Sequence, residues 1–206
     1  MAKAVFEQLK IMNYELREKG KLSDIANITM GQSPDGKSYN ENKEGIIFYQ
    51  GCTDFGDRFP KERLCTTAPT RFAEIGDVLL SVRAPVGTMN IANTKCCIGR
   101  GLAALNSKEN YNCFLYFVVK DLMPYFNRIN NSGTTFGAIT KDDLFSLAVE
   151  IPPKESIMRF EKIAKPMFDK QFLIAKQNEN LTTLRDYLLP LLMNGQVSVN
   201  YHLSDY

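Results

Sequence analysis

The sequence predicts an α+β protein: a mixed, β-rich domain followed by a long C-terminal helix that pairs as a coiled coil. Three observations predict it. From Pro166 to Gly195 the chain reads PMFDKQFLIAKQNENLTTLRDYLLPLLMNG, and steps of four and three from Met167 give Gln171, Ile174, Asn178, Leu181, Arg185, Leu188 and Leu192. That is the seven-residue repeat of a helix burying one narrow seam against another helix. Upstream, short apolar runs such as IIFYQ (46–50) and VLLSV (78–82) are bounded by Gly, Pro and Asp, the pattern of strands between turns. Pro152-Pro153 separates the two regions. The expected division is an N-terminal helix (1–20), a β-rich domain (21–152), a helical arm (153–198) and a tail (199–206).

In chain order, Val5, Leu9, Met12 and Leu16 have helical spacing before Gly20, and their stripe is expected to lie on the C-terminal helix. Residues 22–30 read as a turn and short strand, with Ser23 or Asp24 as a local cap. Gly31 to Gly45 is rich in Gly, Ser, Pro, Asp and Asn and reads as a long surface loop. Strands follow at 46–50, 78–82, 89–92 and 96–105, and the glycines of Gly99-Arg100-Gly101 let backbone come close to something else. Asn112 to Arg128 changes to helical period, with Asn112 as a possible cap and Pro124 as an irregularity. A helical turn at 141–146 carries Asp142 and Asp143 as N-terminal charges, and 147–151 closes as a strand. In the arm, Pro166 is expected to force a kink or restart, Pro190 to interrupt the last turn, and Gly195 to stop the helix. Gln171 and Asn178 place polar groups in the seam, where a buried Asn fixes register and partner number. Periodicity alone fits equally well a helix packed on its own domain.

Composition restricts the function classes. The formal charge is +2, the hydrophobic share 44% and the charged share 23%, ordinary for a globular protein. No apolar run reaches the length of a membrane span, and a cytoplasmic protein is expected. The five cysteines contain no CxxC pair and are expected to be reduced, partly buried thiols. A single histidine, His202, leaves little material for zinc or triad chemistry, and no metal site is expected. The string GQSPDGKS (31–38) satisfies the phosphate-loop pattern, yet the residues after Lys37 carry no apolar helical face and reach Gly45 within two turns. Asp77 and Glu74 lack a following ExK, so a nuclease site is not expected. No catalytic residues and no cofactor are assigned.

The better candidates are for DNA contact. Arg58, Arg63, Arg71, Arg83 and Arg100 fall in or beside loops, and arginine is the usual bidentate reader of guanine or clamp on phosphate. Lys37, Tyr39 and Asn40 cluster with Gln32 and Ser33 in the first polar loop, and Thr134 and Thr135 lie in the later one. Any one of these residues fits a solvated or structural role as well.

Several strings, in order, carry a family resemblance: LSDIANITMGQSP, IIFYQGCTDFG, GDVLLSVRAPVGTMNIA, CCIGRGLAAL, SGTTFGAITKDDLFSLAVEIPP and LRDYLLPLLMNGQ. From about Lys21 to Val197 the chain resembles a specificity subunit of a type I restriction–modification system. The resemblance implies a non-catalytic target recognition domain (21–152) with a spacer helix. Such a subunit brings double-stranded DNA to modification subunits, which methylate adenine with S-adenosylmethionine, and to an ATP-driven restriction subunit. Members usually carry two recognition domains and two spacer helices; this sequence has one of each. The implied form is a half-subunit that homodimerises through antiparallel helices and reads a gapped palindrome. About 28 helical residues span roughly 42 Å at 1.5 Å per residue, or about 12 base pairs. The dimer seam would be Met167, Gln171, Ile174, Asn178, Leu181, Leu188 and Leu192. The alternative is a silent recombination cassette that folds but builds no working complex.

Overall fold

The computed structural model describes residues 1–131 and 137–197. The chain divides into two compact units, Met1–Pro166 and Met167–Tyr206. In the first unit the strands are β1 (Glu18–Lys21), β2 (Ala26–Met30), β3 (Tyr39–Asn40), β4 (Ile46–Tyr49), β5 (Cys65–Thr66), β6 (Phe72–Ala73), β7 (Val78–Ser81), β8 (Met89–Ile91), β9 (Cys96–Ile98), β10 (Leu102–Ser107) and β11 (Ala148–Ile151). The helices are α1 (Ala2–Met12), α2 (Leu22–Ile25), α3 (Asn112–Asp121), α4 (Met123–Asn131) and α5 (Lys141–Ser146). The helix α6 (Lys154–Met193) begins in this unit and continues through the second.

The strands form a pair, β1–β11, and two larger sheets, β2-β10-β7-β8 and β3-β5-β4-β9-β6. All pairings are antiparallel except β4 with β9, where Phe48 faces Cys97 and Tyr49 faces Ile98. Residues from the two larger sheets meet in one buried cluster that includes Tyr49, Leu79, Cys96, Ile98, Leu102 and Ala104. Strands β7, β9 and most of β10 are buried residue after residue, which is why they read as continuous apolar runs rather than alternating ones. Burial pushes the Cys96 thiol up to about 12. None of the five cysteines is in a disulfide, and four of them are buried.

A second core is aromatic. Phe6 of α1 lies 5.1 Å from Phe117 and 5.6 Å from Phe160, ring centre to ring centre, and Phe117 meets Phe160 edge-on at 5.8 Å. The buried residues of α1 are therefore Phe6 and Leu9, whereas Met12 and Leu16 are exposed. The expected helix over 2–19 stops at Met12. Residues 14–16 form a 3-10 turn, and Gly20 lies inside β1.

Helix α3 is buried nearly all round, from Cys113 to Val119. Its N-terminal amides are held from a distance: the Glu161 carboxylate of α6 accepts the N–H groups of Cys113 (3.2 Å) and Phe114 (3.1 Å). Asn112 is not the cap, because its side chain accepts from the Ser107 N–H and donates to the Gly76 carbonyl. The helical pattern breaks at Leu122, just before Pro124 near the start of α4. A capping box at Thr140 and Asp143 opens α5.

In α6 neither proline ends the helix, which runs unbroken through Pro166 and Pro190 to Met193. Each proline removes only one N–H from the ladder of this 40-residue helix. Gly195, at φ +66°, then supplies the stop. Its N–H donates to the Leu192 carbonyl (3.2 Å) and the Gln196 N–H to the Leu191 carbonyl (2.9 Å), a Schellman closure. Among the described residues, no helix is long and apolar enough to cross a membrane.

Candidate nucleic-acid interface

The phosphate-loop reading fails on local geometry. Gly36–Ser38 is a single 3-10 turn capped by Asp35, whose carboxylate accepts the Lys37 N–H at 3.1 Å. A carboxylate thus occupies the amide that a phosphate would need, and no helix begins at Lys37. Asp77 is likewise committed to structure. It is buried and accepts from the Glu74 N–H (2.9 Å) and the Asn106 amide (2.7 Å), and burial raises its pKa. No cluster of metal-ligating side chains occurs among the described residues.

What the fold does build is a rim where strand ends converge. β2 runs into Gly31, whose N–H donates to the Leu102 carbonyl at 2.9 Å. A Cβ on Gly31 would lie 2.1 Å from the Gly99 carbonyl oxygen, so only glycine fits. The Gln32 N–H donates to the Ile98 carbonyl (3.0 Å), and the Arg100 N–H donates to the Ser33 hydroxyl (3.2 Å). The Thr70 hydroxyl donates to the Gln32 carbonyl, and the Ile98 N–H to the Arg71 carbonyl (2.9 Å). On the other side, the Val82 N–H donates to the Gly101 carbonyl (3.0 Å), the Ile139 N–H to the Val82 carbonyl (2.9 Å), and Arg83 bridges to Ala138. Gln32, Gln50, Arg71, Arg83 and Arg100 are all exposed on these segments.

The pairing of arginines singles out the same rim. Arg17 pairs with Glu150, Arg63 with Asp54 and Arg185 with Asp186. Arg58 sits over the Tyr116 ring at 5.1 Å and Arg128 over Tyr125 at 5.9 Å. Among the described residues, Arg71, Arg83, Arg100 and Arg159 have no such carboxylate or ring partner, and three of these four are rim residues.

The sequence-predicted residues divide accordingly. Gln32, Ser33, Arg83 and Arg100 come together on the rim. Tyr39 and Asn40 are nearby in chain but occupied: the Tyr39 hydroxyl donates to the Pro34 carbonyl, and the Asn40 amide exchanges two hydrogen bonds with the Glu44 backbone. Lys37 is exposed on its turn. Arg58 is half-buried and joins β8 and α3 instead, because its carbonyl takes the Ile91 N–H and its guanidinium stacks on Tyr116. Thr134 and Thr135 lie outside the described residues, as does the tail beyond Val197. Arg71, one of the loop arginines, also lies on this rim; Gln50, which sequence reasoning did not single out, joins it because Gln50-Gly51 follows β4 as Gly31-Gln32 follows β2.

In the second unit, the helix carries its apolar residues unburied. Leu181 is 62% exposed, Ile174 44% and Leu192 39%, with Leu173, Leu184 and Leu189 also exposed. Gln171 and Asn178 are exposed, while Met167 and Leu188 are half-buried.

Comparison with known proteins agrees with this architecture. The structure superposes on the crystal structure of the HsdS subunit from Thermoanaerobacter tengcongensis with a TM-score of 0.62 and 31% identity, over 95% of this chain and 52% of that one. The type I restriction–modification S subunit from M. genitalium, at 16% identity and a TM-score of 0.61, shares the fold over 85% of this chain and 45% of its own. The fold is thus that of solved specificity subunits. In sequence, a Methanocaldococcus jannaschii protein provisionally named the MjaX specificity subunit of a type I restriction enzyme is 37% identical over 174 residues, covering 84% of this chain and 41% of that protein. The family model for the type I restriction modification DNA specificity domain matches residues 14–187. The chain belongs to this family. It spans about half the length of the relatives it matches.

Proposed function

We propose that the chain is the sequence-reading, non-catalytic component of a type I restriction–modification complex. It acts in the cytoplasm as a homodimer joined through its C-terminal helices. It binds double-stranded DNA and docks modification and restriction subunits, which supply adenine methylation and cleavage; it needs no cofactor of its own. The observation that carries the dimer is the unburied seam: Ile174, Leu181 and Leu192 are all exposed at heptad spacing. Burying a leucine or isoleucine stabilises by roughly 1.5–3 kcal/mol, so several such residues on each helix favour pairing. Asn178 gives the seam a register and a limited number of partners. Two-fold pairing presents two identical rims, which suits a gapped palindrome.

Light scattering on the purified chain tests the dimer. The expected mass is twice that of one chain, and Leu181→Glu together with Ile174→Glu should return a monomer with an unchanged circular dichroism spectrum. A wild-type chain that stays monomeric at concentrations on the order of 50 µM, where specific complexes persist, contradicts the homodimer.

A further inference from the structure

We propose that Gln50 and Arg100 form a paired reader of two adjacent purines, with Arg71 and Arg83 holding phosphates on either side. The proposal rests on the DNA-recognition reading above and says which rim residues carry sequence information.

The parallel pairing of β4 with β9 sets Tyr49 opposite Ile98, so Gln50 and Gly99 follow side by side. The Gly99 N–H donates to the Tyr49 carbonyl (2.8 Å) and the Gly101 N–H to the Gln50 carbonyl (3.1 Å), with Arg100 between them. Both glycines are required by this approach. A Cβ at Gly99 would lie 2.8 Å from the Gln50 Cα, and one at Gly101 would lie 2.6 Å from the Gln50 carbonyl oxygen. The Arg100 N–H is further held by the Ser33 hydroxyl. The turn is therefore clamped backbone to backbone against Gln50, and both side chains start from fixed points while remaining exposed.

Fixed origins matter for base edges, where geometry decides, and much less for phosphates, where charge and reach suffice. The chemistry matches as well. A guanidinium fork pairs with O6 and N7 of guanine, and a glutamine amide pairs with N6 and N7 of adenine. Neither side chain has a protein partner among the described residues. Arg71 joins the turn through Ile98 and Arg83 joins it through Val82 and Gly101, which places them on opposite flanks of Arg100. Flanking cations beside a central reader suit the two phosphate walls of a groove.

The test is binding of the purified chain to its methylated motif and to duplexes substituted singly at each base pair. The proteins compared are wild type, Arg100→Ala, Arg100→Lys, Gln50→Ala, Arg71→Ala and Arg83→Ala. Arg100→Ala should lose about tenfold to a hundredfold on the motif yet match wild type on the duplex lacking one particular G·C pair. Gln50→Ala should behave likewise at a neighbouring A·T pair. Arg100→Lys keeps the charge without the fork and should still lose the discrimination, which separates readout from a folding defect. Arg71→Ala and Arg83→Ala should weaken binding to every duplex by a common factor and lower the salt slope by about one each. Equal losses on all duplexes for Arg100→Ala and Gln50→Ala, or sensitivities at non-adjacent positions, overturn the paired reader. A wild-type chain that does not prefer its motif to unrelated DNA overturns the recognition reading itself.

Discussion

Removing the Glu161 carboxylate should cost the first unit about 3 kcal/mol. Glu161 is 8% exposed, and each of its oxygens accepts one amide at the N-terminus of α3, from Cys113 and from Phe114. Tyr111, at the N-cap position, makes no side-chain bond to these amides, so Glu161→Ala leaves both without this acceptor inside the protein. Stranding a buried donor costs about 1–3 kcal/mol, and losing a carboxylate from a helix N-terminus adds about 0.3–1 kcal/mol. Two stranded donors therefore place Glu161→Ala near 3 kcal/mol. Glu161→Gln keeps one carbonyl oxygen and turns an NH2 toward the other amide, so about half the loss is expected. Urea unfolding followed by circular dichroism reads both, with the wild-type slope retained. For a chain of this size the thermal midpoint of Glu161→Ala should fall by about 6–12 °C. A loss below about 0.5 kcal/mol for Glu161→Ala, the range of an ordinary surface substitution, would refute the claim that α6 anchors α3 through this carboxylate.

The remaining expectations concern the rim and Asp77. Gly31→Ala sets a methyl group 2.1 Å from the Gly99 carbonyl oxygen and should destabilise by about 1–3 kcal/mol while weakening DNA binding; Gly36→Ala, with nothing within 4 Å, should do neither. Melting curves and a binding titration on both variants check this. Burial raises the Asp77 pKa above 3.8, so its stabilising contribution is present below pH 3.8 and is lost as pH rises through the higher folded value. The stability of wild type minus that of Asp77→Asn should therefore fall with pH across this acid range. A difference that rises with pH contradicts the assignment.

The parts of the fold legible in the sequence are those whose cause is local. β4 lies between Gly45 and Gly51, buried β7 follows the Gly76-Asp77 turn, the Thr140–Asp143 box opens α5, and Gly195 closes α6. Strands β5 and β6 have two residues each, too few to show any period. The stripe of α1 is not legible in the sequence, because Val5 and Leu9 point the count toward Met12 and Leu16. The helix actually turns Phe6 and Leu9 inward, with Phe6 against aromatic partners more than a hundred residues away. Glu161 caps amides 47 and 48 residues distant, which no local motif encodes. On the rim, Arg83 and Arg100 were visible as arginines beside turns, and Arg58 looked identical to them. Only the Tyr116 ring beneath Arg58 distinguishes this stacked arginine from the exposed Arg83 and Arg100.

The measurement that bears most directly on the proposed dimeric reader is the adenine-methylation map of DNA from cells making this chain together with a type I modification subunit. The account predicts a split, self-complementary methylated motif that disappears when this chain is omitted. An asymmetric motif would contradict two identical readers. No motif at all, with soluble chain and a competent methylase, would instead mark the chain as a silent cassette.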